Sequence, residues 1–573
     1  MSVRRKYRFC LLFVLGLLVA MFWFGEEPGP VIDADSTLVL EIGGAYAEAS
    51  QAPWISRLLG EGSPPFSGLL SLFDLAERDS RLGTVVLVIR PLDIGWGKVG
   101  ELREAIGRLE AAGHRTLAYL EMATFSGSRE YFLASAADEV WVVPAGSVPV
   151  LGLAAEYFFL GGLWDNLGIE FDVAKAGRYK SAVEVYTATG MSEPSREMAN
   201  SLLDSTNDFF LSGIAQGRGM SVEEVRAAID HGPILPVDLE SLGLIDGVEH
   251  LDVLLDALGE AVVEHDEYAA VSPEEVGFAP VARAALIYGS GPVVSGWGAR
   301  SPGGESVFAA GRVAESLERA AEDPSIDAII LRIDSPGGSA LAAEEIWRSI
   351  GTAQQAGKPI IASFSDVAAS GGYYVAVAAD EIVSNDATLT GSIGVFALRP
   401  VLAGGLAKLG VSSESLTRGR HADFMLSNPP LSPSGRKRLQ AMVLQIYDLF
   451  VSRVAEGRGM ERDAVDRVGQ GRVWTGSQAY ELGLVDFLGG LHTATDRVRR
   501  RLNLAADADV ALVPFPPPRS LSEELTDALD VRLAQMVEAR LPLPEALRSV
   551  QSWLADLPMG SPLLVPPYLI EIR

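Results

Sequence analysis

The sequence predicts two tandem α/β domains of the same fold, preceded by a membrane-spanning helix. Three observations lead to this prediction. The sequence Ala-Ala-Asp-Glu occurs at 136–139 and again at 378–381, and similar sequence surrounds both copies. In each copy, short apolar runs alternate with helical patterns, which is typical of α/β units with a largely parallel sheet. Near the start of the 573-residue chain, an uninterrupted apolar run covers residues 9–24.

The N-terminal segment carries a targeting signal. Four basic residues precede the apolar run Phe9–Phe24: Arg4, Arg5, Lys6 and Arg8. This basic flank should stay in the cytoplasm, which places everything after residue 25 outside it. The run is short for a spanning helix, so a cleaved signal peptide is the alternative. No Ala-x-Ala-like cleavage site follows, and we favour an uncleaved anchor over residues 1–25.

The domain boundaries follow from the repeat. A polar linker over residues 26–36 leads to a first domain over 37–270, and a second domain follows over 283–500. Residues 501–573 have no evident counterpart in the first copy. Their Pro-rich stretches predict a loosely packed extension.

Each domain is predicted from the same succession of strand, helix and strand. The strands are Val85–Ile89 and Leu117–Leu120 in the first copy, and Ile329–Ile333 and Ile360–Phe364 in the second. The helices between them are Val99–Leu109 and Ala340–Gln355, ending near Gly113 and Gly357. A long helix closes each domain, at Pro194–Gly213 and at Ser434–Glu456.

Composition excludes several classes of function. The net charge of −28 argues against a nucleic-acid partner, because phosphate binding needs clustered Lys and Arg. The only cysteine, Cys10, lies in the apolar run. Residues 25–573 therefore hold no disulfide, thiol nucleophile or cysteine metal site. We expect neither a metal nor a cofactor.

The two copies differ where chemistry is expected. With an offset of 242, the second copy's small residues align with larger ones: Gly371 with Arg129, Gly372 with Glu130 and Gly338 with Trp96. Ser370 aligns with Ser128. Further along the asymmetry is reversed, because Lys180 of the first copy aligns with Ala422. Such a pattern indicates either one active site built from both copies, or one catalytic copy and one copy with only a structural role.

Ser370 is the candidate nucleophile. It lies between a predicted strand and an apolar stretch of helical character, flanked by small residues, as in a nucleophile elbow. A helix N-cap followed by a glycine turn is the plainer interpretation. The loop at Gly337-Gly338 follows the preceding strand, and its amides could bind an oxyanion together with Gly371. Adjacent parallel strands would bring both loops to the same end of the sheet.

Lys180 is the candidate base. The six histidines do not lie in glycine-rich or carboxylate-paired contexts, which gives a Ser-His-Asp triad little support. Lysine is scarce, with seven against forty arginines, and Lys180 is one of them. A surface charge is the ordinary interpretation of a lone lysine. Burial between two domains would lower its pKa and allow it to take the serine proton, which arginine cannot do.

These residues resemble the long, two-domain form of signal peptide peptidase A, or protease IV, over roughly residues 35–500. The motifs that carry the resemblance are Gly-Arg-Tyr-Lys-Ser-Ala at 177–182, Asp-Ser-Pro-Gly-Gly at 334–338, Ala-Ser-Gly-Gly-Tyr-Tyr at 369–374 and Thr-Gly-Ser-Ile-Gly-Val at 390–395. The resemblance implies a ClpP/crotonase-like fold for each domain. It also implies that Ser370 is the nucleophile and Lys180 the general base.

The same resemblance implies a cellular setting. The chain would be a single-pass protein of the bacterial inner membrane, with its catalytic body outside the cytoplasm. It would form a homo-oligomer, a tetramer as in the long form of the family, and degrade cleaved signal peptides and other hydrophobic peptides. Two other functions remain open from the residues alone: a crotonase-like acyl-CoA enzyme, distinguished by CoA binding, and a catalytically idle membrane scaffold, distinguished by its lack of reaction with a serine-directed probe.

Overall fold

The computed structural model describes residues 31–48, 64–259, 261–298, 306–426, 428–516 and 563–564. The strands in these ranges are β1 Ser36–Gly44, β2 Leu82–Leu92, β3 Arg115–Leu120, β4 Glu139–Val142, β5 Glu170–Ala176, β6 Gly247–Val248, β7 Val262–Glu264, β8 Ala282–Ser290, β9 Val293–Val294, β10 Phe308–Ala309, β11 Ala328–Ser335, β12 Gly338–Ser339, β13 Ile360–Ala369, β14 Glu381–Ser384, β15 Leu389–Gly391, β16 Val395–Val401, β17 Val473–Thr475, β18 Phe487–Leu488, β19 Val510–Pro514 and β20 Leu563–Leu564.

The α-helices in the same ranges are α1 Phe66–Arg78, α2 Trp96–Ala112, α3 Ser128–Ala134, α4 Gly161–Leu167, α5 Glu184–Thr187, α6 Glu193–Arg218, α7 Val222–His231, α8 Pro236–Ser241, α9 Leu251–Leu258, α10 His265–Tyr268, α11 Ala310–Glu322, α12 Ala340–Gln354, α13 Gly371–Ala376, α14 Ala403–Lys408, α15 Pro433–Arg458, α16 Arg462–Val468, α17 Gly476–Glu481 and α18 Leu491–Arg501. The predicted anchor at Phe9–Phe24 lies outside the described residues. Among the helices that are described, none has the length and apolar character needed to cross a bilayer.

The two main sheets have the same strand order. The first is parallel throughout, in the order β6-β4-β3-β2-β1-β7. The second contains the parallel order β18-β14-β13-β11-β8-β19, and β15 and β17 extend it beside the end of β13. The prediction of two tandem α/β domains from one duplicated fold is therefore confirmed.

The second sheet extends beyond residue 500, where the sequence placed the end of its domain. Strand β19 pairs with β8 at the same edge position that β7 takes beside β1. The two edge strands start 248 positions apart, whereas the preceding strands β6 and β18 start 240 apart. Extra residues before β19 thus hid its counterpart from a comparison at constant offset.

A third sheet joins the two domains across the region of the predicted site. Its order is β10-β9-β12-β20-β16-β5. Strand β5 belongs to the first copy and pairs antiparallel with β16 over seven residues. Strand β12 begins at Gly338, and β5 leads into the turn that carries Lys180. The sheet therefore brings the chemistry of both copies to one place.

The second sheet is covered on both faces. Along β11, Ile329, Leu331 and Ile333 pack into the second domain's own core, whereas Ile330 packs into the core built mainly by the first domain. Burial on both faces explains why this strand reads as a continuous apolar run. Arg332 follows Ile330 on the first-domain side by the two-residue period of a strand.

Candidate active site

Ser370 lies at a strained turn between β13 and α13. Its backbone has φ +54° and ψ −109°, a conformation that a non-glycine residue adopts only when its surroundings enforce it. The Ser370 amide donates to the carbonyl of Gly391 (2.9 Å), and its carbonyl accepts from the amide of Tyr374 (2.8 Å). A Cβ at Gly372 would lie 2.9 Å from the Ser335 carbonyl oxygen, so the turn also needs a glycine there.

Lys180 points at the Ser370 hydroxyl from the other domain. Its Nζ lies 2.8 Å from Ser370 Oγ, within hydrogen-bond distance. The same nitrogen donates to the carbonyl of Ser392 (3.0 Å) and lies 2.9 Å from the Ser392 hydroxyl oxygen. All three residues are fully buried. Burial holds the pKa of Lys180 well below its usual value, which favours the neutral amine that a base requires.

The turn that carries Lys180 is fixed against the second domain. The amide of Tyr179 donates to the carbonyl of Gln470 (2.7 Å), and the amide of Lys180 donates to the carbonyl of Gly177 (3.2 Å). A Cβ at Gly471 would lie 2.6 Å from Lys180 Cβ. A side chain at position 471 would therefore clash with Lys180. Because Gly471 also has φ +79°, the backbone of any other residue there would be strained.

The two predicted oxyanion loops are in contact. An ideal Cβ on Gly371 would lie 3.0 Å from the Gly338 nitrogen and 3.1 Å from the Gly337 Cα. The Gly337 amide donates within its own loop, to Ser335 Oγ at 3.1 Å. This leaves the amides of Gly338 and Gly371 as the candidate donors to an oxyanion, while Gly337, at φ +98°, shapes the loop.

Ser392 is the residue that sequence reasoning missed. It belongs to the Thr-Gly-Ser-Ile-Gly-Val stretch that carried the resemblance, but no role was predicted for it. With the offset of 242 it aligns with Val150. The comparison of copies that singled out Lys180 would have found this difference as well.

The equivalent place in the first copy is filled by its own side chains. Ser128 donates its hydroxyl to the Gly152 carbonyl (2.9 Å), and Arg129 donates to the Ile94 carbonyl. Glu130 accepts from the Leu92 amide (2.8 Å). Trp96, where the second copy has Gly338, is buried among aromatic rings. The first copy therefore offers neither a free serine hydroxyl nor a glycine loop.

Comparison with known proteins agrees with the duplication. The model of peptidase family S49 matches residues 110–263 and again 352–505. The chloroplastic serine protease SPPA of Arabidopsis thaliana is 34% identical over 482 residues, which is 81% of this chain and 70% of the relative. Protease 4 of Haemophilus influenzae is 30% identical over 541 residues, 87% of this chain and 84% of the relative. Protease 4 of Salmonella typhi is 29% identical over 445 residues, 72% and 69% of the two chains.

The match of two segments in the two copies confirms the resemblance found from the motifs. It also argues against the two alternative functions, a crotonase-like acyl-CoA enzyme and a catalytically idle membrane scaffold. The chain belongs to peptidase family S49 and is a serine protease.

Proposed function

We propose that this protease cuts peptide bonds with a Ser/Lys dyad whose members come from different domains. The observation that carries the proposal is the 2.8 Å contact between Lys180 Nζ and Ser370 Oγ inside a fully buried site. A serine hydroxyl needs a base to become a nucleophile. A buried, neutral lysine provides one without a histidine.

In the proposed reaction, Ser370 Oγ attacks the peptide carbonyl carbon as its proton passes to Lys180 Nζ. The developing oxyanion receives hydrogen bonds from the amides of Gly338 and Gly371. Lys180 then gives the proton to the leaving amine, and the C–N bond breaks to leave an acyl ester on Ser370. Water then attacks this ester as its proton passes to Lys180, the bond between the acyl carbon and Ser370 Oγ breaks, and Lys180 returns the proton to Ser370 as the acid product leaves. Ser392 keeps the amine directed at the reacting atoms.

We propose that substrates bind as extended strands between β12 and β16. Strand β20, from the chain's own C-terminal segment, lies antiparallel to both and provides the support for this proposal. Leu564 pairs with Gly338, one of the proposed oxyanion donors. Strand addition of this kind uses main-chain hydrogen bonds for affinity. It also means that β20 must leave before another peptide can bind.

Exposed apolar side chains follow two strands of the third sheet, and they support hydrophobic peptides as substrates. Trp297, three residues after β9, is 66% exposed, and Leu341, two residues after β12, is 73% exposed. The resemblance to signal peptide peptidase A narrows the class to signal peptides left in the membrane after export. Each domain would then have the ClpP/crotonase-like fold of that family.

The proposal includes a location. The basic flank would remain in the cytoplasm, the Phe9–Phe24 segment would span the bacterial inner membrane, and the body would lie outside. A tether near the membrane places the site where apolar peptides are concentrated. We also propose assembly into a homo-oligomer, as a tetramer, on the same resemblance.

The experiment that tests this function uses the full chain purified in detergent. A synthetic signal peptide is incubated with the wild type and with Ser370→Ala, and the products are identified by mass spectrometry. We expect internal cuts by the wild type and none by the variant. Cleavage by the variant would reject the dyad. If the wild type cleaved a casein control but left the signal peptide intact, the proposed substrate class would be rejected.

A further inference from the structure

A second buried lysine of the first domain contacts the two segments of the second domain that lead into its catalytic loops. Lys98 Nζ lies 2.7 Å from Asp334 Oδ2 and 2.7 Å from Asp366 Oδ2. Asp334 directly precedes the Ser335–Gly338 oxyanion loop, and Asp366 lies four residues before Ser370 on the same chain segment. The Lys98 ammonium group therefore contacts one residue shortly before each of the two loops. Its third partner is Glu48, at 2.9 Å.

The backbone around Lys98 strengthens this connection. Helix α2 begins at Trp96 without a capping side chain of its own. Its free amides are satisfied by Asp366, which accepts from Gly95 N (3.0 Å) and from Lys98 N (2.8 Å). A Cβ on Gly95 would lie 2.4 Å from the Asp366 carboxyl carbon, so only glycine permits this approach.

The loop at Gly95, which contacts Asp366, is the first copy's counterpart of the proposed oxyanion loop in the second copy. With the offset of 242, Gly95 aligns with Gly337 of the oxyanion loop. In the second copy this loop is the proposed oxyanion site. In the first copy it binds a carboxylate of the neighbouring domain. The first-copy loop thus serves as an attachment point for the strand that carries the proposed nucleophile.

We propose that Lys98 is a positioning residue, which sets the nucleophile strand and the oxyanion loop at the spacing that catalysis requires. This inference rests on the proposed function of those loops. Without the ammonium group, three carboxylates would face one another in a buried space and repel. A misplacement of about 1 Å between reacting groups is enough to cost about 10²-fold in rate.

Two further observations agree with a positioning role. Asp334 Oδ1 also accepts from the Val367 amide (3.2 Å), so the two segments that lead into the catalytic loops are joined directly as well as through Lys98. Burial alone would lower the pKa of Lys98, but its carboxylate neighbours raise it well above the usual value. Lys98 therefore stays charged, unlike Lys180, and the first domain uses two buried lysines in opposite protonation states.

A purely structural role would give a different pattern, and Arg218 provides the matched control. Arg218 is another largely buried cation of the first domain, paired with Asp246 at 2.8 Å. The other partners of this pair, the Gly243 carbonyl and the Val140 amide, also belong to the first domain. Loss of Arg218 should therefore reduce stability without altering turnover at the sites that remain folded.

The test measures kcat and KM of full-length variants on a short apolar peptide, per site counted by burst titration, together with Tm. We expect Lys98→Met to lower kcat by about 10²-fold, with KM changed less than about twofold. We expect Arg218→Met to lower Tm with kcat per site unchanged. A wild-type kcat per site in Lys98→Met would overturn the proposal.

A triple variant keeps the proposal testable if Lys98→Met does not fold. In Lys98→Met/Asp334→Asn/Asp366→Asn the two aspartates that would lose their partner are neutralised and Glu48 keeps Arg332, so Tm should recover while kcat stays at least about tenfold low. Recovery of kcat together with Tm would overturn the positioning role. Ser370→Ala is measured in the same assay. Its activity reports on the dyad separately, because a retained rate would reject the dyad whatever the Lys98 variants show.

Discussion

Lys180 Nζ lies 2.8 Å from Ser370 Oγ although the two residues are 190 positions apart and belong to different copies of a duplicated fold. Each copy lacks the partner that the other supplies. Because neither copy holds both groups, peptide hydrolysis by this chain should depend on the contact between its two domains.

Ser370→Ala should abolish peptide hydrolysis while the protein stays folded. Loss of the nucleophile leaves only binding and oxyanion stabilisation, so kcat/KM should fall by more than about 10⁴-fold. The matched control is Ser128→Ala, which alters the equivalent serine of the first copy and should keep near-wild-type activity. Circular dichroism shows whether both variants fold. A loss of activity in Ser128→Ala as large as that in Ser370→Ala would contradict the assignment.

Lys180→Arg should be as inactive as Lys180→Ala. Arginine stays charged and cannot accept the serine proton, so the rate should fall by about 10²- to 10⁴-fold. The control is Lys175→Arg, on the exposed side of β5, which should leave the rate unchanged. In the wild type, kcat/KM should rise with pH through an ionisation below the usual lysine pKa, because only the neutral amine is a base.

The buried lysine should also cost stability at neutral pH. The pKa of Lys180 is lowered on folding, so the native state binds fewer protons than the unfolded chain, whose lysine pKa is about 10.4. Stability from this group therefore rises with pH and levels off near that value. Lys180→Met should raise Tm at pH 7, and the gain should shrink as pH approaches about 10. A destabilised variant whose Tm difference does not change with pH would contradict this expectation.

Much of the site could be predicted because the two copies of the duplicated sequence can be compared with each other. Comparing copies separated Ser370 and Lys180 from serines and lysines with ordinary roles, and the structure brings these two side chains together. The local patterns also located the strands β2, β3, β11 and β13. The roles themselves stay predictions that the experiments above address.

Other features depend on contacts that a sequence does not show. The Gly337 amide was predicted to bind the oxyanion, but the hydroxyl of Ser335 already accepts its hydrogen bond. The contact of Lys98 with Asp334 joins residues 236 positions apart. Strand β19 lay beyond the predicted end of the second domain because its spacing differs from the rest of the repeat.

Leu564→Pro should make the enzyme bind short peptides more tightly. Proline cannot donate to a strand ladder, so β20 should leave the gap between β12 and β16 more readily. KM should fall roughly fivefold, the equivalent of one net hydrogen bond, with kcat unchanged at saturating substrate. Leu564→Ala keeps the backbone donor and should have a smaller effect. An unchanged KM in the proline variant would show that β20 does not compete with substrate.

The topology can be tested on spheroplasts that express the full chain. Protease added from outside should digest the body and leave a tag at the N-terminus protected, because the basic flank Arg4–Arg8 should stay inside. Digestion after lysis is the control for access. A body that resists digestion until lysis would place the protein in the cytoplasm and remove the proposed signal-peptide substrates.

The most direct test of a site shared by two domains is the rate at which a serine-directed acylating probe modifies Ser370, measured against pH. Mass spectrometry identifies the modified residue in the wild type and in Lys180→Arg. The account predicts modification at Ser370, at a rate that rises with pH through one ionisation, and almost none in Lys180→Arg. Modification of Lys180→Arg at the wild-type rate, or of a different residue in the wild type, would contradict it.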